Sequence, residues 1–310
     1  ETSGLPYLYD VDGDGIPDLD MFGDPTADGL ETVPGSLYGF NGTYVSAVVP
    51  LAGKGYWLRS TTDHIAFFQG YSRLTITHTL QEGWNMISGI SDVMYLSEIT
   101  DPGGIIVPGS LYDFNGTYAD AGYIAPGRGY WVRAYETGDV TFTKAPVAAK
   151  VREFQRFTDV NTLQITNGNG HKTIPLYFGL TIDDEKEKLS YGLPPTPPEG
   201  AFDVRFANAW RYIENSGSLA IQDESEELTI AYEIVDGSQW VLSGEKQYLL
   251  EGSGEITITG NVSELNLSKA VHKSLPNTFS LSQNFPNPFN PQTNISVQLP
   301  EGQHTTISVW

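Results

Sequence analysis

Apolar and polar residues alternate along most of this chain in short runs that end at Gly, Pro or Asn-Gly, the pattern of half-buried β-strands rather than helices. Residues 74–91, LTITHTLQEGWNMISGIS, read as two strands joined around Glu82-Gly83. Over residues 146–272 the runs TLQIT, TIPLYFGLTI, AFDVRF, SLAIQ, ELTIAYEIV, QYLLE and EITITG recur between Gly, Asn-Gly and Pro-rich turns, which predicts a β-sandwich of about seven to nine strands. LPPTPPEG, residues 193–200, can only be a loop or a polyproline crossover between strands. The charged run Asp183–Lys188 is expected to be a solvated loop rather than a helical turn. The expected fold class is therefore all-β.

An internal repeat organises the first half. Residues 34–59, PGSLYGFNGTYVSAVVPLAGKGYWLR, match residues 108–133, PGSLYDFNGTYADAGYIAPGRGYWVR, at 16 of 26 positions. Each copy reads as a strand (Leu37–Phe40, Leu111–Phe114), an Asn-Gly turn of type I′ in which both central residues need positive φ, a second strand, and a Gly-x-Gly turn into Tyr-Trp-x-Arg. Only the second copy is preceded by a strand pair, so the first is expected to take a strand from a neighbour or to have lost one to a cut upstream. The expected organisation is a β module over residues 1–72, its relative over 73–145, an immunoglobulin-like sandwich over 146–272, and a linker with a further β segment over 273–310. In that last segment Ile295, Val297 and Leu299 alternate with polar neighbours behind a stiff Pro/Asn run, expected to be an extended lead-in. Two strands are not stable alone in water, so the segment is expected to dock or to belong to a larger domain.

Composition narrows the chemistry. The 310 residues include no cysteine, which removes disulfides, thiolate metal sites and cysteine nucleophiles. A formal charge of −21 disfavours nucleic acid and anionic lipid and favours divalent cations as partners. Nowhere is there an apolar run long enough for a transmembrane helix, and no basic-then-apolar leader opens the chain. The five histidines lack metalloprotease spacing, and neither a G-x-S-x-G elbow nor a Walker loop is present, so no catalytic residues are assigned.

Residues 10–20, DVDGDGIPDLD, are the sharpest chemical signal. Ca²⁺ takes six to eight oxygens, and this spacing offers carboxylates of Asp10, Asp12, Asp14 and Asp18 with the Ile16 carbonyl, Gly15 making the turn. Met21 stands at the twelfth position, so Asp20, Asp24 or Asp28 closes the shell. The loop resembles the calcium loops of thrombospondin type 3 and dockerin modules. The aromatics Tyr56, Trp57, Tyr130 and Trp131 follow tight turns; Trp57 and Trp131 are candidates for stacking on a sugar ring. Period two puts neighbouring Tyr and Trp on opposite faces, so one of each pair is expected in the core, with Arg59 and Arg133 covering the Trp face by cation–π contact.

The final segment, FSLSQNFPNPFNPQTNISVQLPEG, resembles the start of the C-terminal sorting domain of bacterial type IX secretion cargo. EGWNMISGIS, GYW and PPEGAFDVRF resemble, more loosely, modules that precede such domains. The resemblance implies export across a Gram-negative outer membrane through the type IX machinery, then surface attachment or release. Three readings of function follow. The first is a non-enzymatic, calcium-stabilised structural or adhesive β-module region. The second is a filament subunit that self-associates by strand exchange, and the third an accessory, polysaccharide-binding region of a hydrolase with its catalytic domain upstream.

Overall fold

The computed structural model describes residues 33, 35–47, 51, 53–60, 72–144, 154–270, 279–288, 290–298 and 306. The chain divides into a unit ending at Lys269 and a second from Ala270 onward. Nearly every described element is β, and the sheets are antiparallel apart from one short parallel pair.

In the first repeat copy, β1 (Tyr38–Phe40) and β2 (Tyr44–Ser46) form a hairpin with Phe40 opposite Tyr44. The second module contains β3 (Thr75–Leu80), β4 (Gly83–Ser88), β5 (Met94–Tyr95), β6 (Ile99–Thr100), β7 (Tyr112–Phe114), β8 (Tyr118–Asp120), β9 (Tyr123–Ile124), β10 (Gly129–Ala134) and β11 (Gly138–Thr143). The repeat hairpins do not use a type I′ turn. Each closes a three-residue loop, Asn41-Gly42-Thr43 or Asn115-Gly116-Thr117, in which only the glycine has positive φ, +78° and +79°. One left-handed residue per loop explains why Gly follows Asn in both copies.

The strands joined around Glu82-Gly83 are present but do not pair with each other. β4 joins the sheet β4-β10-β7-β8, whereas β3 joins β3-β11-β6. The two consecutive strand pairs β3–β4 and β10–β11 thus run side by side and enclose a core of Ile76, Leu80, Ile87, Met94, Ile99, Val132 and Phe142 among others. Strict alternation on β3 sends Ile76, His78 and Leu80 inward together.

The edge of β4 away from β10 is taken by the Gly-x-Gly segment of the first copy. Gly53 O accepts from Ser88 N at 3.0 Å, Gly55 N donates to Met86 O at 3.2 Å, and Lys54 bridges Ile87. β4 therefore carries the Gly-x-Gly segment of one copy on one edge and β10 of the other copy on the other edge. Gly55 then crosses so close that a Cβ there would sit 2.7 Å from the Ile87 carbonyl oxygen. The line between residues 72 and 73 is a boundary in sequence, but this strand is common to both sides of it.

The sandwich runs β12 (Asn161–Asn167), β13 (Leu176–Phe178), α1 (Glu185–Leu189), β14 (Asp203–Phe206), β15 (Tyr212–Ile213), β16 (Ser216–Gln222), β17 (Glu227–Glu233), β18 (Trp240–Ser243), β19 (Gln247–Leu250), β20 (Ser253–Thr259) and β21 (Glu264–Lys269). Two five-stranded sheets, β15-β13-β12-β17-β20 and β14-β16-β21-β18-β19, face each other across Phe178, Trp240, Leu163, Leu219 and Leu267. The two-residue β15 has no period to read, which is why the expected strand count fell short. α1 replaces the expected solvated loop, because the Asp184 carboxylate caps it by accepting from Lys186 N (2.7 Å) and Glu187 N (3.1 Å).

In the second unit, β22 (Ser280–Leu281) pairs with β23 (Val297–Gln298), and Phe285 and Asn294 exchange backbone hydrogen bonds of 3.0 and 2.9 Å. The Pro/Asn stretch is thus the loop of a hairpin and not an extended lead-in; prolines that lack an N–H suit a loop where no ladder partner is needed.

His78 supplies a test of this architecture. Burial first, and then the charge of Lys54, lower its pKa to about 4, and its Nε2 is buried without a partner. The fold therefore holds the neutral ring, while the unfolded chain takes a proton near pH 6.5. Stability should be complete above that pH and fall by roughly 3 kcal/mol as pH drops to 4. Calorimetric Tm over this range should show the slope, and His78→Leu should flatten it.

Candidate functional site

The repeat motif residues converge on one place, where the two copies meet each other and the sandwich. Trp131 of the second copy lies edge-on to Phe40 (4.8 Å, 79°) and Tyr44 (6.4 Å, 71°) of the first. Reciprocally, Trp57 of the first copy lies edge-on to Phe114 (4.7 Å, 79°) and Tyr118 (6.4 Å, 67°) of the second. Positions 74 residues apart make matching contacts with matching geometry, so the copies are related by a local two-fold exchange. Such edge-to-face pairs contribute beyond the area they bury. The indole Nε1 of Trp131 is buried without a hydrogen-bond partner, so that ring is held by packing.

At the centre of the exchange the Tyr44 and Tyr118 hydroxyls reach the polyproline loop of the sandwich. Tyr44 donates to Thr196 O at 2.9 Å and Tyr118 to Pro195 O at 2.8 Å. Around them Tyr112 donates to Gly192 O (3.1 Å), Arg205 Nη1 to Pro194 O (2.6 Å) and Gln222 Nε2 to Pro198 O (3.0 Å). The prolines of this loop bring no N–H groups, so most of its carbonyls take outside donors, which these side chains supply. Pro194 and Pro197 are both buried while Thr196 is exposed. Burial raises the pKa of both Tyr44 and Tyr118, which keeps the hydroxyls protonated as donors. Arg205 is itself fixed by a buried, two-pronged contact with Asp203 at 2.5 and 2.8 Å.

A second clamp joins β8 to the sandwich. The Asp120 carboxylate accepts from Arg156 Nη2 (2.6 Å) and from fully buried Arg211 Nη1 (2.8 Å). Burial alone would raise the Asp120 pKa, but Arg211 and Arg156 outweigh it and hold the carboxyl below its ordinary value. Arg156 also caps the carbonyls of Gly109 and Ser190, and Phe154 lies over Gly109.

The first copy borders an open cleft of about 680 Å³. It is lined by Tyr38, Tyr44, Trp57, Arg59 and Phe114 from the repeats and, from the sandwich, by residues that include Asn167, His171, Glu199, Asp223 and Glu224. Trp57, one of the two stacking candidates, thus stands at this cleft. Trp131 does not: at 2 % exposure it is covered by Phe40 and Tyr44 of the first copy and by Trp84 of its own, and offers no face to a ligand. Tyr130 and Trp131 point to opposite faces of β10, as period two requires, yet both are buried because each face of that strand is covered. Arg133 sits between Trp84 (5.7 Å) and Trp210 (5.5 Å), so its aromatic partners are those two rings and not the neighbouring Trp131.

The acidic loop, with Asp10, Asp12, Asp14, Ile16, Asp18 and Asp20, lies outside the described residues. Among the described residues no group of three or more His, Asp or Glu is placed to hold a metal ion, and no helix is long and apolar enough to cross a membrane. Comparison with protein-family models, curated proteins and solved structures returned no match. The cross-copy exchange and the arginine clamp escaped sequence reasoning because each pairs residues far apart in the chain. The equal spacing of Phe, Tyr and Trp in the two copies was the one signal that could have suggested it.

Trp131→Ala should cost about 3–5 kcal/mol in urea unfolding, and Tyr118→Phe about 1 kcal/mol. The Asp120 contribution should persist at neutral pH and vanish as pH falls through its lowered folded value, below pH 3.8; Asp120→Asn should remove that acid limb.

Proposed function

We propose that this chain is a non-enzymatic β-module region of a type IX-secreted bacterial protein, structural or adhesive, working outside the cell or at its surface. The observation that supports this most is how the repeat motif is used. Its Phe, Tyr and Trp residues are spent on locking two copies to each other, and its tyrosine hydroxyls on holding the sandwich loop. A repeat committed to such contacts transmits position and load; the sandwich, in this reading immunoglobulin-like, extends the same rigid body. The acidic loop over residues 10–20 adds calcium as a stiffening ion, through oxygens of Asp10, Asp12, Asp14, Ile16 and Asp18, with Asp20 among the candidates to close the shell. The C-terminal segment is read by the secretion machinery.

Calcium at millimolar concentration should raise Tm, chelation should reverse the rise, and Asp12→Asn with Asp14→Asn should abolish it without changing the Tm measured in chelator. Unchanged Tm on adding calcium to the native chain would remove the ion from this reading.

A filament is the second reading, favoured by the apolar surface of the tail hairpin: Phe279, Leu281 and Phe285 are 58, 59 and 77 % exposed. Light scattering at micromolar concentration should then show concentration-dependent growth that Phe285→Ser with Leu281→Ser suppresses; a constant monomer mass would dismiss it.

A further inference from the structure

The local two-fold relation between the repeats makes a prediction about the open cleft. On the second copy the surface formed by Gly109, Tyr112, Trp131 and Arg133 is covered. Phe154 lies over Gly109, where a Cβ would approach its ring to 2.5 Å, and Arg156 binds Gly109 O at 2.7 Å and Asp120 at 2.6 Å. Trp210 stacks on Arg133, and Tyr112 is fully buried. The equivalent residues of the first copy, Gly35, Tyr38, Trp57 and Arg59, line the 680 Å³ cleft. Among the described residues a Cβ at Gly35 meets nothing within 4 Å, and Tyr38 is only half-buried.

The charge of the cleft specifies what can lie there. At the position equivalent to Asp120 the first copy has Ser46, so the carboxylate that holds Arg156 has no counterpart in the repeat itself. The sandwich supplies carboxylates instead, Glu199, Asp223 and Glu224, which line the same cleft as the aromatic residues. Asp223 is already bonded to Asn167 Nδ2 (2.9 Å) and Ser225, whereas Glu199 and Glu224 are exposed. Three carboxylates against Arg59 repel an anionic ligand and attract a cation, and the aromatic residues take a flat or ring-bearing group.

We propose that this cleft is a docking site for a peptide segment of a partner chain bearing arginine and aromatic side chains, the intermolecular counterpart of the Phe154–Arg156 segment that covers the second copy within the chain. The internal precedent supplies the chemistry of the occupant: aromatic ring over the glycine, guanidinium to a carboxylate and a carbonyl. The site does not depend on calcium or on the export route.

The test is isothermal titration of the whole chain with a capped peptide of the sequence of residues 153–158, Glu-Phe-Gln-Arg-Phe-Thr. Saturable one-to-one binding is expected. It should weaken about five- to tenfold in the variant Glu199→Gln with Glu224→Gln, both exposed and outside the core, and more with the peptide's arginine replaced by citrulline. A peptide with both phenylalanines changed to serine controls for attraction to the acidic chain at large and should not saturate. No saturation by the native peptide at millimolar concentration, or equal affinity for the double variant, would overturn the proposal. So would saturation by neutral cello- or chito-oligosaccharides with quenching of Trp57 fluorescence where the peptide is inert, which would assign the cleft to a saccharide.

Discussion

Everything in the first unit leans on the exchange of tryptophans between the repeats. Trp57 and Trp131 each leave their own copy to lie against the Phe and Tyr of the other. Edge-to-face contact is directional, so it sets the relative rotation of the copies as well as holding them. Once that rotation is set, Tyr44 and Tyr118 come together and their hydroxyls point at one line of carbonyls. The proline-rich loop is bound there because its prolines bring few N–H groups to compete for its carbonyls, and proline has already surrendered most of its freedom in the unfolded chain. The hydrophobic core then runs without a break from Met86 and Trp131 through Leu193 into Trp240.

The ionic contacts refine this arrangement rather than create it. Asp120 keeps 43 % of its side chain exposed, so its pairs with Arg156 and Arg211 are partly screened by water. Arg211 is different. It is fully buried, with Nη2 unpartnered, and its charge is tolerable only because Asp120, Tyr112 and the Tyr177 ring surround the rest. Losing the carboxylate would strand that charge.

Period-two alternation made the all-β class legible, and the repeat made two related hairpins legible, because both depend on neighbours within a few residues. What failed to show were pairings that depend on distance along the chain. Glu82-Gly83 looks like a hairpin turn, yet β3 and β4 go to different sheets, since each finds its partner in β10–β11. Asn-Gly looks like type I′, but the threonine that follows joins the loop and relieves Asn41 and Asn115 of positive φ. Trp131 looks like a stacking platform until the first copy is placed on it. Trp57 carries the same local sequence and borders a cleft, and only the third partner, the sandwich, distinguishes them.

The shared edge of β4 has a consequence for inheritance. A repeat whose ladder is completed by the next repeat is not portable: copied alone into another protein, the first copy would arrive with the edge of its Gly-x-Gly segment unpaired. Only a duplicated pair that brings β4 with it carries this ladder intact.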